Sequence, residues 1–258
     1  MLLYFVTQNK RAILDVFYWL RGIPHGYLRG KLRVASYAGL KIVFPFIEDP
    51  AFDDVWLRDV YQAYTPQKED VVVDVGAHMG FFALKVARKV KKVIAIEPDP
   101  DNFNFLLQNV CRNKLNDKVI SQNVALGEHY GNIFLDRTAY GFGRTRSTTK
   151  KTPYLSKLRT LTGLLSESNL GKASLIKIDT EGFELDVLEG SVETLQRDKP
   201  DLIIAAYHYP NESHNVSDFL KKHHYSVFFY CMPLFLFGGK ETYLYARANK
   251  IEKTKIAA

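Results

Sequence analysis

Val71-Val72-Val73-Asp74-Val75 runs directly into Gly76-Ala77-His78-Met79-Gly80, and a helical pattern begins at Phe81. A short run that is apolar but for one Asp is what a strand buried on both faces requires, and such strands belong to parallel sheets. A glycine turn between that strand and a helix brings backbone N–H groups and open space to the carboxyl edge of a sheet, where nucleotide-type ligands bind. The chain is therefore constrained to an α/β layer structure at its centre.

The rest of the pattern agrees. Strands are expected at 93–97, 119–123, 174–179 and 202–207, and helices at 81–90, 101–113 and 184–196. Alternating strand and helix gives a Rossmann-like, mostly parallel sheet covered on both faces. The last two strands, 225–231 and 242–247, are joined through Gly238-Gly239 and read as a hairpin forming an antiparallel edge. Ahead of this body, 12–20 carries apolar residues at helical spacing, 31–46 reads as a hairpin turning at Ala38-Gly39, and 53–64 reads as a helix capped by Asp53 or Asp54. Two regions result: an N-terminal helix and hairpin extension over 1–69, and a main domain over 70–258.

Charge is unevenly placed on this basic chain of net +7. Residues 1–33 hold six basic side chains and one acidic, and 247–258 hold four and one. The segment 137–160 holds seven basic side chains and no acidic one. The rest of the body is acidic. We read 136–160 as a basic insertion and a lid over the acceptor side, drawing in an acidic or phosphorylated acceptor. Nucleic acid is a weaker alternative, since no RNA-binding module is recognisable. Two cysteines without metal-ligand spacing fit a reducing, cytoplasmic compartment and speak against a structural zinc site. No transmembrane span or secretion signal is read. The 12–20 helix is expected to dock on the core or on a second copy in a homodimer, with peripheral membrane contact as the weaker option.

The glycine loop is not the dinucleotide fingerprint. Its spacing is G-x-x-x-G, without the middle glycine that lets a pyrophosphate approach. Glu97, at the end of the next strand, is placed to accept hydrogen bonds from both hydroxyls of a ribose, and an acid before the loop suits a ligand with an amino group. S-adenosylmethionine (SAM) has these features.

Taken together, Asp74-Val75-Gly76-Ala77-His78-Met79-Gly80, Glu97-Pro98, Val124-Ala125-Leu126-Gly127 and the string from Ile176 to Gly190 (IKIDTEGFELDVLEG) resemble the FkbM-type methyltransferases of the class I SAM-dependent superfamily. The resemblance runs from about residue 70 to 225. It implies a seven-stranded sheet, SAM as cofactor, and methyl transfer to a hydroxyl of a sugar, glycan or other small metabolite. RNA methylation, or SAM binding without turnover, is the alternative. It also implies that Asp74, Gly76 and Gly80, with Ala77 and His78 of the same turn, line the methionine portion. Glu97, beside Pro98, would hold the ribose, and Asn123 and Ala125 would flank the adenine. Asp179 and Glu181 would face the methyl donor and acceptor. His208 is a third catalytic candidate, expected to titrate in the range of a general base. No metal ligand is assigned; a divalent ion held by Asp179, Glu181 and His208 stands as the lesser alternative. The sequence departs from the family at Thr162, where members often have Asp after Leu, and at Ala206, where members often have Glu two residues before the His.

Overall fold

Val71–Val75 (β4) is the pivot of the chain's main sheet, with every residue buried. The computed structural model describes residues 27–29, 32–45, 50–137, 145–168, 171–233 and 240–249. The expected helix at 12–20 lies outside them. Beside β4 on one side run Lys92–Ile96 (β5) and Val119–Gln122 (β6), and on the other Leu175–Ile178 (β11) and Asp201–Ala205 (β12), all parallel. The hairpin Tyr225–Pro233 (β13) and Lys240–Ala248 (β14) completes the seven strands, with β14 antiparallel to β12 and β13 at the edge. The order reverses between β4 and β11, and that reversal opens a crevice at their carboxyl ends.

Helices cover both faces because the strands are apolar on both. Phe81–Ala87 (α2) begins after Gly80, whose φ of 86° is left-handed. Pro100–Arg112 (α3) is capped by Asp99, whose carboxylate accepts from the N–H groups of Asp101 and Asn102. The expected helix over 184–196 is instead two, Glu184–Glu189 (α5) and Val192–Asp198 (α6). It breaks at Gly190, where a Cβ would lie 2.0 Å from the Gly127 carbonyl oxygen.

The hairpin at Ala38-Gly39 forms as expected between Leu32–Tyr37 (β2) and Leu40–Pro45 (β3), with Tyr27–Arg29 (β1) added to β2. Both turn residues have positive φ, which suits a two-residue hairpin turn. The hairpin is fastened to α3 by amides that imitate a strand. Asn109 accepts from Val43 N at 2.7 Å and donates to Val43 O at 3.0 Å, and Asn113 does the same for Lys41. The helix expected over 53–64 is Pro50–Trp56 (α1). Asp53 lies in its first turn and not at a cap. Lys85 ends the helix by donating to Val55 O and pairing with Asp59, whose φ is left-handed.

The basic insertion is mostly a second sheet and not an open loop. Ala125–Leu126 (β7), Gly131–Asp136 (β8), Arg146–Thr148 (β9) and Leu155–Arg159 (β10) pair in the order β7-β10-β8-β9. Three of its cations are engaged, Arg137 with Asp99 and Asp101, Arg146 with Asp136 and Arg159 with Glu167, while Lys150, Lys151 and Lys157 are exposed. Arg144 and the glycines at 141 and 143 lie outside the described residues. Two further helices, Leu161–Ser168 (α4) and Glu212–Lys222 (α7), pack on the sheet. Among the described residues no helix is long and apolar enough to cross a membrane.

Candidate active site

A cleft opens at the reversal between β4 and β11. Gly76, Ala77 and His78 form its floor, and Ile96, Glu97 and Pro98 one wall. Val124, Ala125 and Leu126 form an apolar wall beyond, and Lys177, Asp179 and Glu181 close the opposite end.

Gly76 is required by close approach. Its φ is 72°, and a Cβ there would sit 1.8 Å from the Asp179 carbonyl oxygen. The turn is also braced from below. Asp74 is fully buried, accepts from Ala83 N at 3.1 Å and pairs with Lys177 Nζ at 3.1 Å. Lys177 Nζ in turn donates to Gly76 O at 2.7 Å. Burial pushes the Asp74 carboxyl up, and Lys177 and the Ala83 amide only partly counter it. Burial would lower the Lys177 ammonium, but Asp74 and Asp179 outweigh it and hold the pKa above its usual value.

Glu97 is 4% exposed and held in one orientation. Its Oε2 accepts from His78 N at 2.8 Å and its Oε1 from Asp99 N at 2.9 Å. Burial raises its pKa, opposed by His78 and those two amides. Asn123 does not line the cleft; its amide ties down the Glu97 and Pro98 carbonyls. Gly80 and Asp74 likewise sit outside the lining and act on the loop from behind.

The other end is strongly acidic. His208, with a side chain 2% exposed, is ringed by four carboxylates. Its Nε2 lies 3.6 Å from Asp179 Oδ1 and 3.5 Å from Glu181 Oε2, and its Nδ1 lies 3.4 Å from Glu184 Oε1 and 3.4 Å from Glu212 Oε2. Burial alone would lower the imidazole pKa, but Asp179, Glu184 and Glu212 reverse this and hold it far above the usual histidine range. This direction runs against the expectation that His208 titrates in the range of a general base, because the surrounding carboxylates favour the charged ring. Burial would raise Asp179, yet His208, Lys177 and the hydroxyl of Tyr61, 2.6 Å from Oδ2, hold it well below the carboxylate range. Glu212 is pushed up to about 7 by burial and by its neighbour Glu184. Glu181 sits at φ 58°, a left-handed conformation that costs a residue with a Cβ roughly 1–2 kcal/mol.

Several residues here were not read from the sequence: Tyr61, Lys177, Glu184 and Glu212, with Asp54 and Val55 lining the cleft from α1. Lys177 did leave a signal, a lone cation inside an apolar strand. Neither departure from the family pattern touches the cleft. Thr162 bonds Thr194 across α4 and α6, and Ala206 is buried in the sheet. Glu212 brings a carboxylate to His208 by another route.

Residues 74–227 match the Methyltransferase FkbM domain. The chain belongs to this family. A relative in Haloferax volcanii, the hexuronic acid methyltransferase AglP, is 30% identical over 132 residues, which is 50% of this chain and 53% of that protein. Methyltransferase 1 of Beauveria bassiana is 25% identical over 162 residues, 53% of this chain and 64% of its own. The match thus spans about half the length of the first of these and under two thirds of the second. Among solved structures, methyltransferase FkbM of Methylobacillus flagellatus superposes with a TM-score of 0.57 at 19% identity, covering 75% of this chain and 47% of that one. M. jannaschii TYW2, solved in complex with AdoMet, superposes at 0.53 with 16% identity, covering 86% and 87%. These two show the fold.

Proposed function

We propose that the chain is a SAM-dependent methyltransferase acting on a hydroxyl of a sugar, glycan or other small metabolite. The observation that carries the reading is one cleft with a fixed carboxylate, Glu97, at one end and two carboxylates, Asp179 and Glu181, at the other. The residues fit the cofactor. The turn at Gly76 leaves backbone exposed where a side chain would block it, Glu97 is aligned for a ribose, and Val124, Ala125 and Leu126 offer an apolar slot for an adenine. Bound there, SAM supplies a methyl carbon already activated by its sulfonium.

The chain's own task is alignment and proton removal. Holding the acceptor oxygen about 3–3.5 Å from the carbon supplies much of the rate. Asp179, pinned by Tyr61, orients the acceptor hydroxyl. Glu181 takes its proton, an action that typically contributes about 10²–10⁴-fold. His208 acts as a positioning cation that keeps the two carboxylates together. Similarity to a hexuronic acid methyltransferase supports a sugar acceptor. Sequence similarity to RNA-modifying proteins covers shorter stretches, such as 36% identity over 84 residues with an aminocarboxypropyltransferase for tRNA of Pyrococcus horikoshii. An acidic cluster at the acceptor end repels phosphodiesters, so RNA is the weaker reading.

The test has two parts. Calorimetry with SAM and with its demethylated product is expected to show binding, and labelled methyl from SAM added to fractionated extract is expected in the carbohydrate or small-metabolite fraction. Absence of heat with either nucleoside on folded protein defeats the proposal. Label in RNA alone replaces the acceptor.

A further inference from the structure

The second sheet reaches the cleft from both of its edges. At one edge β7 supplies Ala125 and Leu126, and at the other β9 supplies Ser147, with Thr145 just ahead of it. The strand period of two puts Thr145 and Ser147 on one face and sends Arg146 to the other, where it pairs with Asp136. Thr145 is also tied to the Glu97 end of the cleft. Its hydroxyl bonds Asp99, whose backbone N–H is held by Glu97 Oε1 at 2.9 Å. The insertion expected to serve the acceptor therefore borders the carboxylate and the apolar residues that fit a nucleoside.

The bond to Asp99 fixes which way the Thr145 hydroxyl points. Thr145 Oγ1 donates to Asp99 Oδ2 at 2.9 Å, and Arg137 Nε pairs with the same oxygen at 2.6 Å. Asp99 Oδ1 accepts from Asp101 N at 2.8 Å, Asn102 N at 3.2 Å and Arg137 Nη2 at 3.1 Å. The residue is 3% exposed, and the Arg137 guanidinium is kept in place by stacking on Tyr154. A carboxylate in this setting only accepts, so it takes the one proton that a threonine hydroxyl has to give. What Thr145 Oγ1 keeps for the cleft is lone pairs. We propose that Thr145 is a specificity-determining residue that accepts a hydrogen bond from the exocyclic amino group of the cofactor's adenine, with Asp99 the positioning residue that sets the polarity. A purine with an oxo group at that place sets oxygen against oxygen and is turned away. This inference rests on the SAM reading above.

Calorimetry on the full chain compares S-adenosylhomocysteine with S-inosylhomocysteine, in which an oxo purine replaces adenine. The adenine form is expected to bind about 10–100-fold more tightly, the range for leaving a polar group unpaired. Thr145→Ser keeps the hydroxyl and is expected to keep that ratio, whereas Thr145→Val is expected to remove most of it. Asp99→Asn leaves an amide oxygen on the two helix N–H groups and turns an NH₂ toward Thr145, whose proton is then free to face the cleft. The preference is expected to shift toward the inosine form, a change of sign that simple loosening of the sheet does not produce. A preference left unchanged by Thr145→Val or by Asp99→Asn, in protein with an intact melting transition, overturns the inference. Equal binding of both forms by the native chain overturns it alone, and binding of neither by folded protein overturns it together with the SAM reading.

Discussion

Removing the Lys177 ammonium by Lys177→Met tests the brace beneath the glycine turn. Asp74 and Lys177 have side chains 0% and 4% exposed, so neither is screened by solvent. Breaking a buried pair from one side costs about 3–5 kcal/mol because the remaining charge is stranded. An independent bound follows from titration. The stranded Asp74 escapes by taking a proton, which costs about 1.4 kcal/mol for each pH unit above the unfolded aspartate value of about 3.9. That gives roughly 4 kcal/mol at pH 7 and roughly 1.5 kcal/mol at pH 5, and the first agrees with the pair estimate. The sign is fixed by linkage. In the variant the folded state holds a proton on Asp74 that the unfolded state has lost, so stability falls as pH rises above about 4. Asp74 is already pushed up by burial in the native protein, which trims the difference without changing its direction. Lys177 itself stays charged from pH 5 to 7, since its pKa is raised, and contributes no slope. Urea unfolding followed by tryptophan fluorescence, with Trp56 buried, reads the loss at both pH values. A loss under about 1 kcal/mol at pH 7, or an equal loss at pH 5 and pH 7, refutes the reasoning.

Gly76→Ala places a Cβ 1.8 Å from the Asp179 carbonyl oxygen on a left-handed backbone; a loss of about 2 kcal/mol or more, with SAM binding abolished, is expected by unfolding and calorimetry, and native-like binding would show that the turn is not the cradle. Glu97→Gln sets an amide NH₂ against one of two backbone donors that the carboxylate now satisfies, an unmade bond of about 1–3 kcal/mol; SAM affinity is expected to drop about 10–100-fold, and an unchanged dissociation constant contradicts the ribose assignment. Tyr61→Phe deletes only the hydroxyl on Asp179 Oδ2; kcat is expected to fall with SAM affinity intact, whereas loss of affinity alone would move Tyr61 to the cofactor side.

What was legible in the sequence was whatever a local period or a glycine dictates. The buried run Val71–Val75, the turn after it and the hairpin at Ala38-Gly39 all stand where the pattern puts them. Element ends drifted where a distant group intervened. Lys85 takes the Val55 carbonyl of α1, and the break at Gly190 falls where the Gly127 carbonyl leaves no room for a side chain. The second sheet was hidden because its strands are short, mixed in polarity and rich in cations. Part of that basic face is spent inside the fold, since Arg137 pairs with Asp99 and stacks on Tyr154, while Lys150, Lys151 and Lys157 stay exposed. At the site, the glycine turn and Glu97 were legible from position. Glu184 and Glu212 were not, because only the fold brings them together, around the ring of His208, 24 residues after one and 4 before the other. A helix carrying Val216 and Leu220 four apart was the signal for α7 that went unread.

The placement of Tyr61 joins the two ends of the chain. Arg58 lies between Asp54 on α1, at 2.6 Å, and Glu241 on β14, at 2.7 Å, with all three side chains nearly buried. A buried ion pair contributes little net stability, since desolvation offsets attraction, but it tolerates few alternative arrangements. Two residues on, Tyr230 of β13 donates to the Val60 carbonyl at 2.7 Å, and the Tyr61 ring meets Tyr243 and Phe82 edge-on. The segment is thus fixed from three sides just where its hydroxyl must reach Asp179. The β13–β14 hairpin therefore does more than widen the sheet. It supplies the surface against which the chain's earlier residues close the acceptor end of the cleft, so a site whose cofactor side is written between residues 74 and 97 is completed by residues from both flanks.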